Sequence, residues 1–393
     1  MKWVTGIFSL LFFIFFFTVA FADGEWIDSS PDDFAHNLDM IGESFVAREY
    51  GAVDDLLLQQ LTSSNLLRDG TFLLTGRTDD VGICFLVDQC CNLIHQYRID
   101  TPSSNRGAVV RGATRIGENI IAAVDDYVTG TSFIVVISSD GKITTTEKLS
   151  GPINAIEVLE DGLLVSGSYF IKNKTEVPWA AKVGKDGTYE WEFEGTPMIL
   201  ERAGMRRYFE FCAEYADEYV LLQYEALPYP DHITEYSMIR LAKDGSLVFS
   251  SPINLPEMKF GCNFKKVMID KDMLVLCGAI GDSNFQRVAT VAAINKSAQV
   301  LWIKEYNESV GVDAVEKLND LYYLSLAIRD ARGITMLVVD QAGNTIETFT
   351  NLFDQFSTDV IVKDIISDEN NCLWIIGMIE NATRCFIAEL VGQ

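Results

Sequence analysis

The densest group of residue types that could do chemistry in this chain is arginine beside tyrosine. The stretch Glu194-Gly-Thr-Pro-Met-Ile-Leu-Glu-Arg202-Ala-Gly-Met-Arg206-Arg207-Tyr208 holds three arginines next to a phenol. A second stretch, Tyr224-Glu-Ala-Leu-Pro-Tyr229-Pro-Asp-His232-Ile-Thr-Glu-Tyr236, adds two more phenols after Tyr224. Both read as insertions, and binding residues concentrate on loops held by a rigid scaffold. Arg202, Arg206, Arg207, Tyr208, Tyr229 and Tyr236 are therefore the candidate ligand-binding rim. The competing reading is that the arginines pair with nearby acids, as surface ion pairs do for little energy.

Other chemistry is sparse. The three histidines, His36, His95 and His232, form no H-E-x-x-H and no pair at ligand spacing, so no metal site is expected. Gly281-Asp-Ser283-Asn284 lacks the second glycine of a nucleophile elbow and lies in a hairpin loop. Asp79-Asp80, Asp125-Asp126 and Asp270-Lys-Asp272 do not extend into a calcium loop. Two carboxylates across a sugar ring would serve a glycosidase, but 56 acidic residues single out no pair. No catalytic residue and no cofactor is assigned.

The elements that position these residues follow a repeat. A turn between β-type runs recurs at Cys90-Cys91-Asn92, Asp140-Gly141, Asp186-Gly187, Asp244-Gly245, Lys296-Ser297-Ala298 and Ala342-Gly343-Asn344. The period of about 50 residues belongs to solenoids, propellers or arrays. One unit is plain: Ile153–Leu159 alternates, Leu163–Phe170 follows, then Trp179–Val183, then Tyr189-Glu-Trp191-Glu-Phe193-Glu, with Asp-Gly turns between. Second strands of this kind number seven, ending in glycine at Phe72–Gly76, Met273–Gly278 and Leu373–Gly377. Seven four-stranded antiparallel sheets arranged radially make an all-β, seven-bladed β-propeller. The chain stops where a seventh turn is due, and Phe45–Gly51 has the character of the missing fourth strand. It is expected to pair with Cys385–Leu390 and complete the last blade. A linear β-solenoid is the rival arrangement.

The repeat runs apolar–Gly, polar loop, Trp/Phe-apolar-Lys-Val/Leu, Asp-Gly, then x-Trp-x-Lys/Glu-x-Tyr/Glu-Gly. At Trp179–Gly195 and Val291–Tyr306 it resembles secreted bacterial propellers of the delta-60 and quinoprotein-like repeat kind. The resemblance spans nearly the whole mature chain and implies a propeller. The tryptophan-docking repeat, Trp-Asp dipeptides, a Tyr-Trp-Thr-Asp pattern and a sialidase box are missing from the sequence, so no particular chemistry comes with it.

Residues 1–22 read as an export signal: Lys2, an apolar run from Ile7 to Phe21, and Ala20-Phe21-Ala22 as the cleavage pattern. An uncleaved anchor over Val4–Ala22 is the alternative. Residues 23–43 form an acidic leader and 44–393 the propeller. No later stretch is apolar enough to span a bilayer, and the cleavage point lacks the cysteine of lipid attachment. The net charge of −25 argues against nucleic acid or an anionic membrane as partner. Eight cysteines in an exported chain allow disulfides, whereas those inside apolar runs also suit buried thiols. Asn173, Asn295, Asn307 and Asn381 stand in glycosylation sequons. The expectation is a secreted, monomeric glycoprotein acting as a non-enzymatic binding or scaffold module for an extracellular protein or glycan. The alternative is an extracellular carbohydrate-active hydrolase or lyase, or a divergent quinoprotein-like enzyme.

Overall fold

The computed structural model describes residues 45–49 and 60–392, apart from 79–80, 91, 101–106, 173, 203, 228–232, 256–261, 282–286, 308, 328–333, 353–359 and 380–383. The chain divides into two compact units, Met1–His36 and Asn37–Gln393, and every described residue belongs to the second. The signal and the leader, residues 1–43, lie outside the described residues. Among the described residues, no helix is long and apolar enough to cross a membrane.

The described residues form seven antiparallel sheets. Blade 1 is β2 (Gln60–Leu66), β3 (Phe72–Thr78), β4 (Val81–Val87) and β5 (Leu93–Ile99). Blade 2 is β6 (Ala108–Ile116), β7 (Asn119–Asp126), β8 (Thr131–Ile137) and β9 (Ile143–Leu149). Blade 3 is β10 (Ile153–Leu159), β11 (Gly162–Ile171), β12 (Thr175–Gly184) and β13 (Tyr189–Glu194), with a short β14 (Met198–Ile199) added to β12. Blade 4 is β15 (Arg206–Tyr215), β16 (Glu218–Leu227), β17 (Ile233–Ala242) and β18 (Leu247–Ile253). Blade 5 is β19 (Cys262–Asp270), β20 (Met273–Gly281), β21 (Arg287–Asn295) and β22 (Val300–Tyr306). Blade 6 is β23 (Gly311–Leu318), β24 (Leu321–Ala327), β25 (Ile334–Asp340) and β26 (Thr345–Leu352). Blade 7 is β27 (Val360–Ser367), β28 (Leu373–Ile379), β29 (Arg384–Gly392) and β1 (Phe45–Glu49). In this last sheet β1 runs antiparallel to β29, from Phe45 opposite Gly392 to Glu49 opposite Ala388.

The turns that mark the repeat join third to fourth strands, and their chemistry is local. Asp186 and Asp244 accept from the backbone N–H two residues on, at 3.0 and 2.9 Å. Asp88, Asn295 and Asp340 accept from both the second and the fourth N–H after them. The following residue adopts a left-handed conformation, at φ 80° for Gly141, 78° for Gly187 and 81° for Gly245. Glycine takes this conformation without a Cβ penalty, which is why Asp-Gly recurs there. Asn295, one of the sequon asparagines, thus does the aspartate's work in its turn, its Nδ2 also donating to Gln299 at 3.0 Å. Asn307 is exposed, while Asn173 and Asn381 lie outside the described residues.

The core is divided among the gaps between blades. Each neighbouring pair shares one buried apolar cluster: Leu73 with Val110 between blades 1 and 2, Ile121 with Val165 between 2 and 3, and Leu164 with Leu221 between 3 and 4. The series continues through Val220 with Leu276, Val275 with Leu324, and Met336 with Ile375. The seventh cluster joins blade 7 to blade 1, with the Phe72 ring edge-on to Trp374 at 5.3 Å. Period-2 alternation leaves one face of each sheet for each neighbour, so both faces of the second and third strands are apolar.

The cysteines belong to this core. Cys84, Cys212, Cys262, Cys277 and Cys385 are buried free thiols, Cys372 is partly buried and Cys90 exposed, all unpaired. The expected disulfides are therefore missing among the described residues. The buried thiols sit inside the strands of blades 1, 4, 5 and 7 and act as small apolar side chains.

Candidate functional site

The first strand of every blade is broken at the same place. Register slips by one residue between Leu61 and Ser63, Val110 and Gly112, Ile153 and Ala155, and Phe209 and Phe211. It slips likewise between Phe264 and Lys266, Val312 and Ala314, and Val362 and Asp364. Each slip is a β-bulge, which leaves one residue unpaired and re-aims its side chain. The seven bulged residues are Thr62, Arg111, Asn154, Glu210, Lys265, Asp313 and Lys363, one per blade and all polar. All seven line a single cavity of about 660 Å³ on the ring axis.

A second cavity of about 790 Å³ continues from it and shares Ser64, Glu157, Phe211, Lys266 and Asp364 with it. Charges in this channel are knitted between blades. Lys265 Nζ lies 2.5 Å from Asp313 Oδ1, and Lys266 Nζ lies 3.0 Å from Asp364 Oδ1. Ser64 donates to the other Asp364 oxygen at 2.9 Å, and Ser367 donates to Glu316 at 2.5 Å. Arg111 turns to the buried Asp125 at 2.6 Å. Burial pushes three channel carboxyls, Glu157, Glu210 and Glu316, up to about 7. Around Glu157 the neighbouring Glu214 adds to the rise and Lys266 opposes it. Among the described residues no grouping of His, Cys, Asp or Glu is suited to hold a metal ion.

The arginines and tyrosines read from the sequence lie on another face, where blades 3 and 4 have longer hairpins than the rest. The strands β11, β12, β15, β16 and β17 have 10 residues each. Arg206, Arg207 and Tyr208 open β15 instead of lying in a loop. Glu176, whose side chain is 0% exposed, accepts from Arg206 Nε at 3.1 Å, from the Arg207 N–H at 2.7 Å and from Ser168 Oγ at 2.7 Å. Arg207 also forks onto Glu225 at 2.5 and 3.0 Å. Arg206 lies over the Tyr208 ring at 5.4 Å and the Phe170 ring at 5.8 Å. Arg202 is exposed in the connection before β15, and Tyr229 lies outside the described residues.

Tyr236 is not on the rim. It is 1% exposed inside β17, packed on Phe264 of the next blade at 5.3 Å, with its hydroxyl donating to Glu210 of the channel. Burial raises its phenol well above the usual range. The rim instead gains side chains that the sequence did not single out. Phe170 and Ile171 are each 44% exposed, and Ile199 on β14 is 65% exposed. Met198 and Ile199 pair with Glu176 and Thr175, which ties the connection between blades down as a fifth strand.

These features define a seven-bladed β-propeller of mainly four-stranded blades. No family model and no curated protein matches the chain. Solved structures do. The β-propeller domain of the Trilobed protease from Pyrococcus furiosus, which has an open velcro topology, is similar with a TM-score of 0.51 at 13% identity, over 85% of this chain and 96% of that one. Drosophila Plexin A, solved in complex with Semaphorin 1b, gives 0.52 at 8% identity over 85% and 87%. A prolyl endopeptidase gives 0.50 at 12% identity over 87% of this chain and 51% of its own, so the chain spans about half of that protein. Likeness at these identities is likeness of fold.

Proposed function

We propose that this chain is an exported, non-enzymatic binding module that docks an extracellular protein on the extended ends of blades 3 and 4. The observation that carries the reading is the exposure of Phe170, Ile171 and Ile199 together on one end of blade 3. Large apolar side chains grouped on a surface mark interaction sites, and aromatic and arginine residues are enriched in them. Glu176 fixes the backbone beneath them by taking Arg206 and the Arg207 N–H. The export signal and the resemblance to delta-60 and quinoprotein-like secreted propellers support the extracellular setting. A protein partner suits the ledge better than a glycan, because its exposed groups are apolar.

The enzymatic alternative is a hydrolase working in the channel, with Glu316 and Asp364 as its acid pair. Glu316 carries the raised proton affinity that such an acid needs. Asp364, however, has one oxygen on the Lys266 ammonium and the other on the Ser64 hydroxyl, and both contacts draw on the electron density with which it would attack a sugar.

The test is crosslinked capture from the extracellular medium of the producing cells, comparing the native chain with F170S/I171S/I199S. A specific partner captured by the first and lost in the second is the expected result. Equal capture by both would overturn the docking ledge, and oligosaccharide turnover abolished by Glu316→Gln would replace it with the hydrolase.

A further inference from the structure

Lys266 makes an unusual connection. It rises from β19 of blade 5, and its ammonium reaches Asp364 on β27 of blade 7. Adjacent inner strands make pairs such as Lys265 with Asp313, but Lys266 passes over blade 6 and crosses the channel. Two further carboxylates feel the same ammonium, Glu157 from blade 3 and Glu316 from blade 6. Among the described residues no side chain pairs with the Glu157 carboxylate. Glu214, beside it, is already taken by Lys243. One ammonium therefore serves Glu157, Glu316 and Asp364 in a cavity of about 790 Å³.

We propose that this part of the channel binds a linear organic amine, a diamine or polyamine, whose ammonium groups join Lys266 among Glu157, Glu316 and Asp364. The ligand class follows from how the acids are placed. They are not grouped to enclose one metal ion, and they stand on three different blades. Placement on three blades around one cavity suits a cation whose charges are separated by methylenes. Phe211 and Val267 line the same cavity and offer those methylenes an apolar wall. The Lys266 side chain, four methylenes and an ammonium, already reaches Asp364 as a tethered amine of the same kind.

Proton affinity supports the geometry. Glu157 and Glu316 are raised to about 7, chiefly by burial, with Glu214 and Asp364 respectively adding to the rise and Lys266 opposing it. A bound cation favours the charged carboxylates, so binding weakens as pH falls through 7.

The experiment is calorimetric titration of putrescine into the full chain at about pH 8 and about pH 6. The native protein is expected to bind at the higher pH and about tenfold more weakly at the lower, the factor that one pH unit of carboxylate affinity represents. Lys266→Met removes the competing ammonium and is expected to tighten binding about tenfold. Glu157→Gln with Glu316→Gln, both isosteric, is expected to weaken it by at least about tenfold. Glu118→Gln with Glu201→Gln, two exposed acids outside the channel, leaves affinity within about twofold. Absence of binding by both the native chain and Lys266→Met would overturn the site. Equal weakening by the channel and surface pairs would also overturn it, since the net charge of −25 attracts any cation diffusely.

Discussion

Glu157→Gln is expected to stabilise this protein, and only at neutral to alkaline pH. The Glu157 carboxyl is moved from an ordinary 4.5 to about 7, mainly by burial. The folded chain thus holds that proton more tightly than the unfolded chain does. Stability from this group is complete below 4.5 and is lost as pH rises to 7, where the charge must be carried without a partner. At about 1.4 kcal/mol for each pH unit, the interval is worth at most about 3.5 kcal/mol. The channel opens beside the half-buried carboxylate, and solvent there brings the figure to about 1–2 kcal/mol. The glutamine has the same shape and no charge, so it recovers that amount at pH 8 and almost none at pH 5. Unfolding entropy of about 2.1 cal/mol/K per residue, over about 290 described residues, converts this to a Tm gain of about 2–3 °C. Differential scanning calorimetry of both proteins at the two pH values reads it directly. A lower Tm for the variant at pH 8, or an equal gain at pH 5, would refute the reasoning.

Arg206→Ala should cost about 2–3 kcal/mol in urea unfolding, because it leaves Glu176 buried without its guanidinium, and adding Glu176→Gln should return part of the loss. Arg206 is itself half exposed, which keeps the figure below that of a fully buried pair. Gly278→Ala should lower Tm more than any surface substitution, since a Cβ there would stand 2.0 Å from the Asn263 carbonyl oxygen; an unchanged Tm would show that β19 can give way. Iodoacetamide should label Cys90 rapidly and leave Cys84, Cys212, Cys262, Cys277 and Cys385 unmodified until denaturant is added, as mass spectrometry of peptides would report.

Much of the scaffold was legible because its signals are local. Asp-Gly turns and alternating runs declare hairpins, and seven repeats of them imply seven sheets. Even the glycine inside several second strands has a local cause. Gly167, Gly278 and Gly377 lie where the bulged first strand comes closest, with the Pro152, Asn263 and Ile361 carbonyls pressing on them. The channel was not legible. Which residue of Ile153–Leu159 points inward depends on a register slip fixed by pairing with β11, and no residue type announces the slip. Thr62, Arg111, Asn154 and Glu210 occupy equivalent positions and share nothing but polarity. The arginines were visible, but the partner of Arg206 lies 30 residues away on another strand. Tyr236 was read as a loop phenol because Tyr224–Tyr236 is rich in proline and acid, whereas its side chain fills the gap between two blades.

The repeated bulge separates two kinds of selection within one strand. The residue before each slip (Leu61, Val110, Ile153, Phe209, Phe264, Val312 or Val362) is fixed by a cluster between blades, where a changed volume is felt at once. The slipped residue belongs to none of these clusters. Threonine, arginine, asparagine, glutamate, lysine and aspartate can therefore occupy it in turn around the same ring. The side chains on the axis of this molecule are thus drawn from a set of positions distinct from those that hold the blades together.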